Sequence, residues 1–418
     1  MGKKRILGCI ADDFTGASDI ASFLKKGGMS TVLFNGVPGK NEEGDFDAAV
    51  IALKTRTQET ESAVSDSLDA LQWLKSKGCK HLYIKYCSTF DSTPKGNIGP
   101  IVDSALEIFN IPHTILCPAL PVNGRTVDHG CLYVNGIPLQ ESHMKDHPLT
   151  PMWDCRIEEL MRPQGKYPCL MLDREQMYAP DGAIKEKINT FAREHKHFYI
   201  VPDYTEQEDA ERIISLFGNL PLLTGGSGIA EALGRFYCGE NADSDRNGGT
   251  DGRALILAGS CSKATLGQIS RFISDGGYAV KMEPKALASG KQTAESLLED
   301  AAQAEGAALI YSSDKPENVR ENQQSGKDAV SALLESTTGQ IAVQAVERGF
   351  TRIIVAGGET SGAVTKALGF GAFEIGASVA PGVPVMIPAE RPDIRIVLKS
   401  GNFGDEEFFA QALKCTGK

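Results

Sequence analysis

The chain has 418 residues, of which 41% are hydrophobic, and 54 acidic against 43 basic side chains leave a formal charge of -11. That length exceeds what one hydrophobic core usually organises, so about two domains are expected, each large enough to fold without disulfide or metal staples. The acidic balance argues against nonspecific binding to nucleic acid or an anionic membrane and leaves a small metabolite as the expected partner.

Residues 5–11 read as a buried parallel strand, and 16–26 carry apolar residues at helical spacing. Asp12 and Asp13 therefore emerge where the strand gives way to the helix, the carboxyl edge at which α/β enzymes place chemistry. One of them can take a proton from a substrate hydroxyl or hold a metal ion, and either can equally serve as a helix N-cap and a turn acid. The apolar run 48–53 predicts a second strand, followed by Lys54-Thr-Arg-Thr57, and 59–77 predicts an amphipathic helix. A third strand over 81–86 runs into Lys85-Tyr-Cys-Ser-Thr-Phe-Asp-Ser-Thr93. At that same edge Arg56 can grip a carboxylate bidentately, Lys85 adds a point charge, and Ser88, Thr89 and Asp91 can read sugar hydroxyls.

After the strand 113–117, residues 123–162 lack clean periodicity and predict a long excursion. Within it Arg125 is a further cation for the pocket, while His129, His143 and His147 match no familiar metal-ligand spacing, so no zinc site is expected. Strands over 169–172 and 198–201 continue a doubly wound pattern, and Thr224-Gly-Gly-Ser-Gly228 is a glycine turn near the end of this half. Residues 239–252 are rich in turn formers and predict a linker between a domain over 1–238 and one over 253–418.

Alternation restarts with strands over 253–258, 278–282, 307–311, 352–356 and 394–398 and a helix over 339–348. Three of these strands run into glycine-rich turns suited to phosphate: Ala258-Gly-Ser-Cys-Ser-Lys263, Ala356-Gly-Gly-Glu-Thr-Ser-Gly362 and Lys399-Ser-Gly-Asn-Phe-Gly404. None is a Walker sequence or a dinucleotide fingerprint, and each is also compatible with tight packing alone. The ten cysteines form no Cys-x-x-Cys pair and read as reduced core residues. With no apolar signal core and no run of about 20 apolar residues, the expectation is a cytoplasmic protein without membrane contact.

The Ala11-Asp-Asp-Phe-Thr-Gly-Ala, Lys85–Thr93, Thr224–Gly228, Ala258–Ser262, Ala356–Gly362 and Lys399–Gly404 motifs occur in the order found in four-carbon acid sugar kinases, which the chain resembles over essentially its whole length. Cys117-Pro-Ala-Leu-Pro-Val-Asn-Gly-Arg-Thr-Val and Glu141-Ser-His-Met resemble the 3-oxo-tetronate branch of that family. The resemblance implies two doubly wound α/β domains with mainly parallel sheets and an interdomain cleft, the first binding the acid sugar and the second ATP. It implies phosphorylation of the 4-hydroxyl of 3-oxo-tetronate, with Mg2+ bridging the ATP phosphates. By the same similarity Ser260, Gly357, Gly358, Glu359, Thr360 and Gly401 map onto nucleotide-binding positions. Glu359 either holds magnesium through water or is a first-turn helix acid, so no protein metal ligand is assigned.

After Val127 the chain departs from the family pattern with Asp128-His129-Gly130, which weakens the expected substrate role of that loop. The resulting expectation is a kinase in which Asp12 or Asp13 is the base and Arg56 and Lys85 fix the substrate carboxylate. The preferred stereoisomer and homo-oligomerisation stay open. The alternatives are a kinase for D-threonate, L-threonate or D-erythronate, a noncatalytic ATP-responsive sugar-acid sensor, and a nicotinamide-dependent dehydrogenase.

Overall fold

A computed structural model describes residues 5–39, 45–147, 149–239, 249–314 and 327–418, without the side chains of 327 and 328. The chain divides into two compact units, Met1–Ser244 and Asp245–Lys418. Of the expected linker, residues 240–248 lie outside the described residues.

The strands of the first unit are β1 (Leu7–Ala11), β2 (Thr31–Asn35), β3 (Ala48–Ala52), β4 (His81–Lys85), β5 (His113–Cys117), β6 (Arg125–Asp128), β7 (Cys131–Val134), β8 (Ile137–Pro138), β9 (Cys169–Leu172), β10 (Phe198–Pro202) and β11 (Leu222–Gly225). Eight of them form a parallel sheet in the order β2-β3-β1-β4-β11-β5-β10-β9. β1 and β3 are buried along their whole length, as apolar strands covered by helices on both faces must be. Ala11 pairs with Ala52 on one side and with Lys85 on the other, so three strands end at one level and their following residues emerge together.

Helix Phe14–Lys26 starts directly after β1 and packs against helix Ala230–Cys238. The two meet at glycines: a Cβ on Gly234 would lie 2.8 Å from the Cα of Gly27. The expected excursion is a separate antiparallel sheet in the order β6-β7-β8, followed by the short helix Ile157–Met161. Val127 and Tyr204 exchange backbone hydrogen bonds at 2.9 and 2.8 Å and tie that sheet to the unit. Here one reading is corrected: Cys131 and Cys155 form a disulfide, their Cα atoms 4.8 Å apart, because β7 lies alongside the segment entering that helix. The other eight cysteines are free.

The second unit contains β12 (Arg253–Ala258), β13 (Tyr278–Lys281), β14 (Ala308–Tyr311), β15 (Phe350–Ala356), β16 (Ala372–Ala380), β17 (Val383–Pro388) and β18 (Arg395–Lys399). Their order is β13-β14-β12-β15-β18-β17-β16; the first five run parallel, whereas β17 and β16 are antiparallel to their neighbours. The β16–β17 hairpin is absent from the sequence expectation; β17 holds Pro384 and Pro388, residues uncommon inside a regular strand. The structure seats Pro384 opposite Ser378, where the register shifts. Helix Lys327–Glu347 begins well before the expected 339. Ile256, Leu309, Ile354 and Val397 fill the core with Phe408 and Phe409 of the last helix, Phe408–Thr416. Among the described residues no helix is long and apolar enough to cross a membrane.

Candidate active site

In the first unit the aligned strand ends gather Asp12, Asp13, Arg56, Lys85 and Asp91. Asp13 is the N-cap of helix Phe14–Lys26 and accepts from the Gly16 amide, which fixes the turn that separates the two acids. Arg56 meets Asp12 in a two-point grip, Nε to Oδ2 at 2.8 Å and Nη2 to Oδ1 at 3.0 Å. The same Nη2 lies 2.7 Å from Asp13 Oδ2, and Nη1 lies 3.6 Å from Asp91 Oδ2. Arg56 is thus already shared among three carboxylates, and its charge holds the edge together.

Lys85 is 3% exposed, its Nζ donating to the Tyr86 carbonyl at 3.0 Å and lying 3.8 Å from Asp19 Oδ2. A Cβ on Gly16 would sit 3.2 Å from that Nζ and 3.6 Å from Asp12 Oδ1, so Gly16 is where lysine and acid come close. Asp19, buried on helix Phe14–Lys26, also accepts from Ser227 Oγ at 2.5 Å, and this bond connects the Thr224–Gly228 turn to the cluster.

Burial pushes the Asp12 carboxyl above the ordinary aspartate range; Arg56 opposes that rise and Asp13 adds to it. Burial likewise raises Asp19 against the pull of Lys85 and Ser227. For Lys85 burial works downward, but the carboxylates of Asp19 and Asp12 outweigh it and its value is raised. The cluster therefore combines a proton-seeking buried carboxylate with two cations that remain charged.

The loop after β4 is shaped by Phe90, a buried bulky residue at φ 59°, whose ring packs edge-on against Tyr86 at 5.5 Å. This turn brings Thr89 Oγ1 to donate to Asp91 Oδ1 at 2.6 Å. Ser88 is half-buried beside the glycine turn, where a Cβ on Gly226 would lie 3.6 Å from its own Cβ. Asn97 donates to the carbonyls of Thr55 and Gln58 at 2.7 and 2.8 Å and so holds the loop carrying Arg56. A cavity of about 20 Å³, room for one water, is lined by Asp12, Arg56, Lys85, Asp91, Asn97 and Ser67. Arg125 stands apart on β6, its guanidinium donating to the Asn123 carbonyl, and no hydrogen bond or ion pair among the described residues brings it into the cluster.

The second unit builds its site from backbone. Ala258 pairs with Ala356, and Ala356 with Lys399, so all three glycine-rich turns leave the sheet at one level. Gly357 has φ +134°, and a Cβ there would lie 2.8 Å from Thr360 Oγ1 and 3.1 Å from the Ser260 amide nitrogen. A Cβ on Gly401 would collide with Ser260 Oγ. Ser260, Gly357, Thr360 and Gly401 therefore converge, with Gly358 and Glu359 exposed at the start of helix Gly358–Leu368. First-turn amides of a helix lack intrahelical partners and offer a ready anion cradle.

Asp128, His129 and Asp203 form the one group of metal-ligand type among the described residues. Asp203 there accepts from the amides of His129, Gly130 and Arg174 at 3.0, 3.0 and 3.1 Å, which accounts for its burial. Sequence reasoning missed Asp19 and Asn97, and it named Ser227 and Lys399 only as members of glycine-rich turns. For Asp19 a signal was present, since a carboxylate interrupts the otherwise apolar and small buried face of its helix.

A model described as a sugar-binding N-terminal domain matches residues 7–233, and one described as a nucleotide-binding C-terminal domain matches 255–409. The 3-oxo-tetronate kinase of Cupriavidus necator is 40% identical over 426 residues, covering 100% of this chain and 98% of its own. That of Pseudomonas savastanoi pv. phaseolicola is 41% identical, covering 98% of this chain and 97% of its own. Among solved structures, a Haemophilus influenzae protein superposes with a TM-score of 0.86 at 38% identity, covering 98% of this chain and 100% of its own. Such likeness, spanning both units, makes the chain a member of the four-carbon acid sugar kinase family.

Proposed function

We propose that the protein is an ATP-dependent kinase that phosphorylates the 4-hydroxyl of a 3-oxo-tetronate to give 3-oxo-tetronate 4-phosphate. The observation that carries this reading is the identity of about 40% with several proteins named 3-oxo-tetronate kinase, held over essentially the full chain. The substrate side is the first unit's acid cluster and the nucleotide side the second unit's glycine cradle.

In this reading Asp12 accepts the proton of the substrate hydroxyl as its oxygen bonds to the γ-phosphorus and the bridging bond to ADP breaks. A carboxylate raised by burial is suited to that role, and the Arg56 grip keeps it in one orientation. Arg56 Nη1 and Lys85 supply the positive field for the substrate carboxylate, while Ser88, Thr89 and Asp91 are placed for its oxygens. Arg125, on β6, is a further proposed contact that no bond among the described residues ties to the cluster. Asp13 caps the helix and shares Arg56, a positioning role that keeps it the second choice for the base.

For the nucleotide, the amides at Gly358–Thr360 and Gly401 and the Ser260 hydroxyl receive the phosphates, while the Gly357 amide is spent on the Lys399 carbonyl at 2.9 Å. The oxygen groups around the turn include hydroxyls and the exposed carboxylate of Glu359, a set that fits magnesium arriving on the phosphates with its own waters. When bound, the ion neutralises charge on the transferring group. Side-by-side turnover with ATP and 3-oxo-tetronate, D-threonate, L-threonate and D-erythronate tests the proposal. A higher kcat/KM for any of the three reduced acids would reassign the substrate, and binding without ADP release would make the protein a sensor.

A further inference from the structure

Strand β18 ends in Lys399, 1% exposed, yet no carboxylate lies within ion-pair distance of it among the described residues. Buried ammonium groups are ordinarily paired, so this one needs an account. Its Nζ donates instead to Thr265 Oγ1 at 3.0 Å, to the Ser400 carbonyl at 3.3 Å and to the Gly401 carbonyl at 2.9 Å. The Gly401 carbonyl also accepts from Ser262 Oγ at 2.6 Å and Thr265 Oγ1 at 3.0 Å, three donors on one oxygen.

A trans peptide unit points its N–H opposite to its carbonyl, and this chain has no cis bond among the described residues. Drawing the Ser400 and Gly401 carbonyls toward the ammonium therefore directs the amides of Gly401 and Asn402 away from it. Neither amide donates to any described residue. Gly401 abuts Ser260, beside the beginnings of helices Lys263–Ser274 and Gly358–Leu368.

We infer that Lys399 is a positioning residue for the nucleotide phosphates: from beneath the loop it turns the Gly401 and Asn402 amides toward the anion and polarises them, without touching the phosphates itself. The inference rests on the nucleotide reading above for the identity of the anion. Burial lowers the Lys399 ammonium to about 8, which leaves it charged at neutral pH. Two successive amides backed by a buried charge form a stronger cradle than the glycine turn alone.

The experiment measures ATP and adenosine affinities of the full chain by calorimetry, in the wild type, Lys399→Met and Thr265→Val. Lys399→Met is expected to weaken ATP about tenfold, the scale of one hydrogen bond assisted by charge, while adenosine binding stays within about twofold. Thr265→Val removes one donor from the same carbonyl and should weaken ATP about threefold. A folded Lys399→Met protein that binds ATP as the wild type does, or loses ATP and adenosine equally, overturns the inference. If that variant does not fold, Thr265→Val decides, and an unchanged ratio of the two affinities overturns it. A wild-type protein with no preference for ATP over adenosine removes the nucleotide reading and the inference with it, a failure visible before any substitution.

Discussion

In the proposed reading, the acid cluster of the first unit and the glycine cradle of the second solve recognition in opposite ways. In the first, Asp12, Asp13, Asp19 and Asp91 surround Arg56 and Lys85, and each charged group is held by another. In the second, the working groups are amides and hydroxyls whose placement depends on backbone angles, with one lysine behind them. A short hydroxy acid differs from its relatives in single oxygens, which only placed side chains can distinguish, whereas every nucleotide presents the same phosphates. The first site should therefore fail by charge and protonation, and the second by backbone geometry.

The largest effect should come from Asp12→Asn, which keeps shape but removes the proton acceptor; turnover is expected to fall about 10²–10⁴-fold with little change in the KM for ATP. Asp13→Asn keeps a side-chain oxygen that caps the helix about as well, so it should cost less turnover and leave stability nearly unchanged. Steady-state kinetics on both variants decide which acid is the base, and full activity in both removes the assignment from this pair.

Gly357→Ala forces a side chain onto φ +134° and toward the Ser260 amide, so the KM for ATP should rise about tenfold while that for the sugar acid holds. Matched changes in both KM values would erase the contrast between the sites. Arg56→Ala should raise the sugar-acid KM by a similar factor. Because Arg56 holds the Asp12 value down against burial, its removal should also move the acid limb of the kcat/KM profile to higher pH. An unmoved limb would separate Arg56 from the base.

The smallest effect concerns Lys399. Its folded-state value of about 8 lies below the ordinary lysine value, so between the two the unfolded chain holds a proton that the folded chain has released. Stability should then rise with pH through that window, by at most about 1.4 kcal/mol per pH unit, and the Lys399→Met protein should lack this increment. Denaturant titrations of both proteins at pH 7.5 and 9.5 measure the difference; parallel curves would contradict it.

The parallel strands were legible because runs such as Leu7–Ala11 and Ala48–Ala52 are apolar along their whole length and end in polar loops. β2 and β11 were harder to see. The first carries a half-buried Val32 and an exposed Asn35, and the second is four residues long and dissolves into glycine. Of the candidate site, Asp12, Arg56 and Lys85 were traceable since each follows or ends a strand in register. That Arg56 would be shared among Asp12, Asp13 and Asp91 was not readable, because it depends on loop conformation set by Asn97 and Phe90. Lys399 stood in a quoted motif, but its isolation from any acid is a property of packing.

The contact of Gly27 with Gly234 gives the molecule an Achilles heel remote from any reacting atom. The helix that opens with Asp13 and carries Asp19 is seated at its far end by two residues without side chains. A methyl group at either one would lever that helix off its neighbour. Variants there would thus act through the seating of the helix and the stability of the unit, and a screen confined to the charged pocket would overlook them.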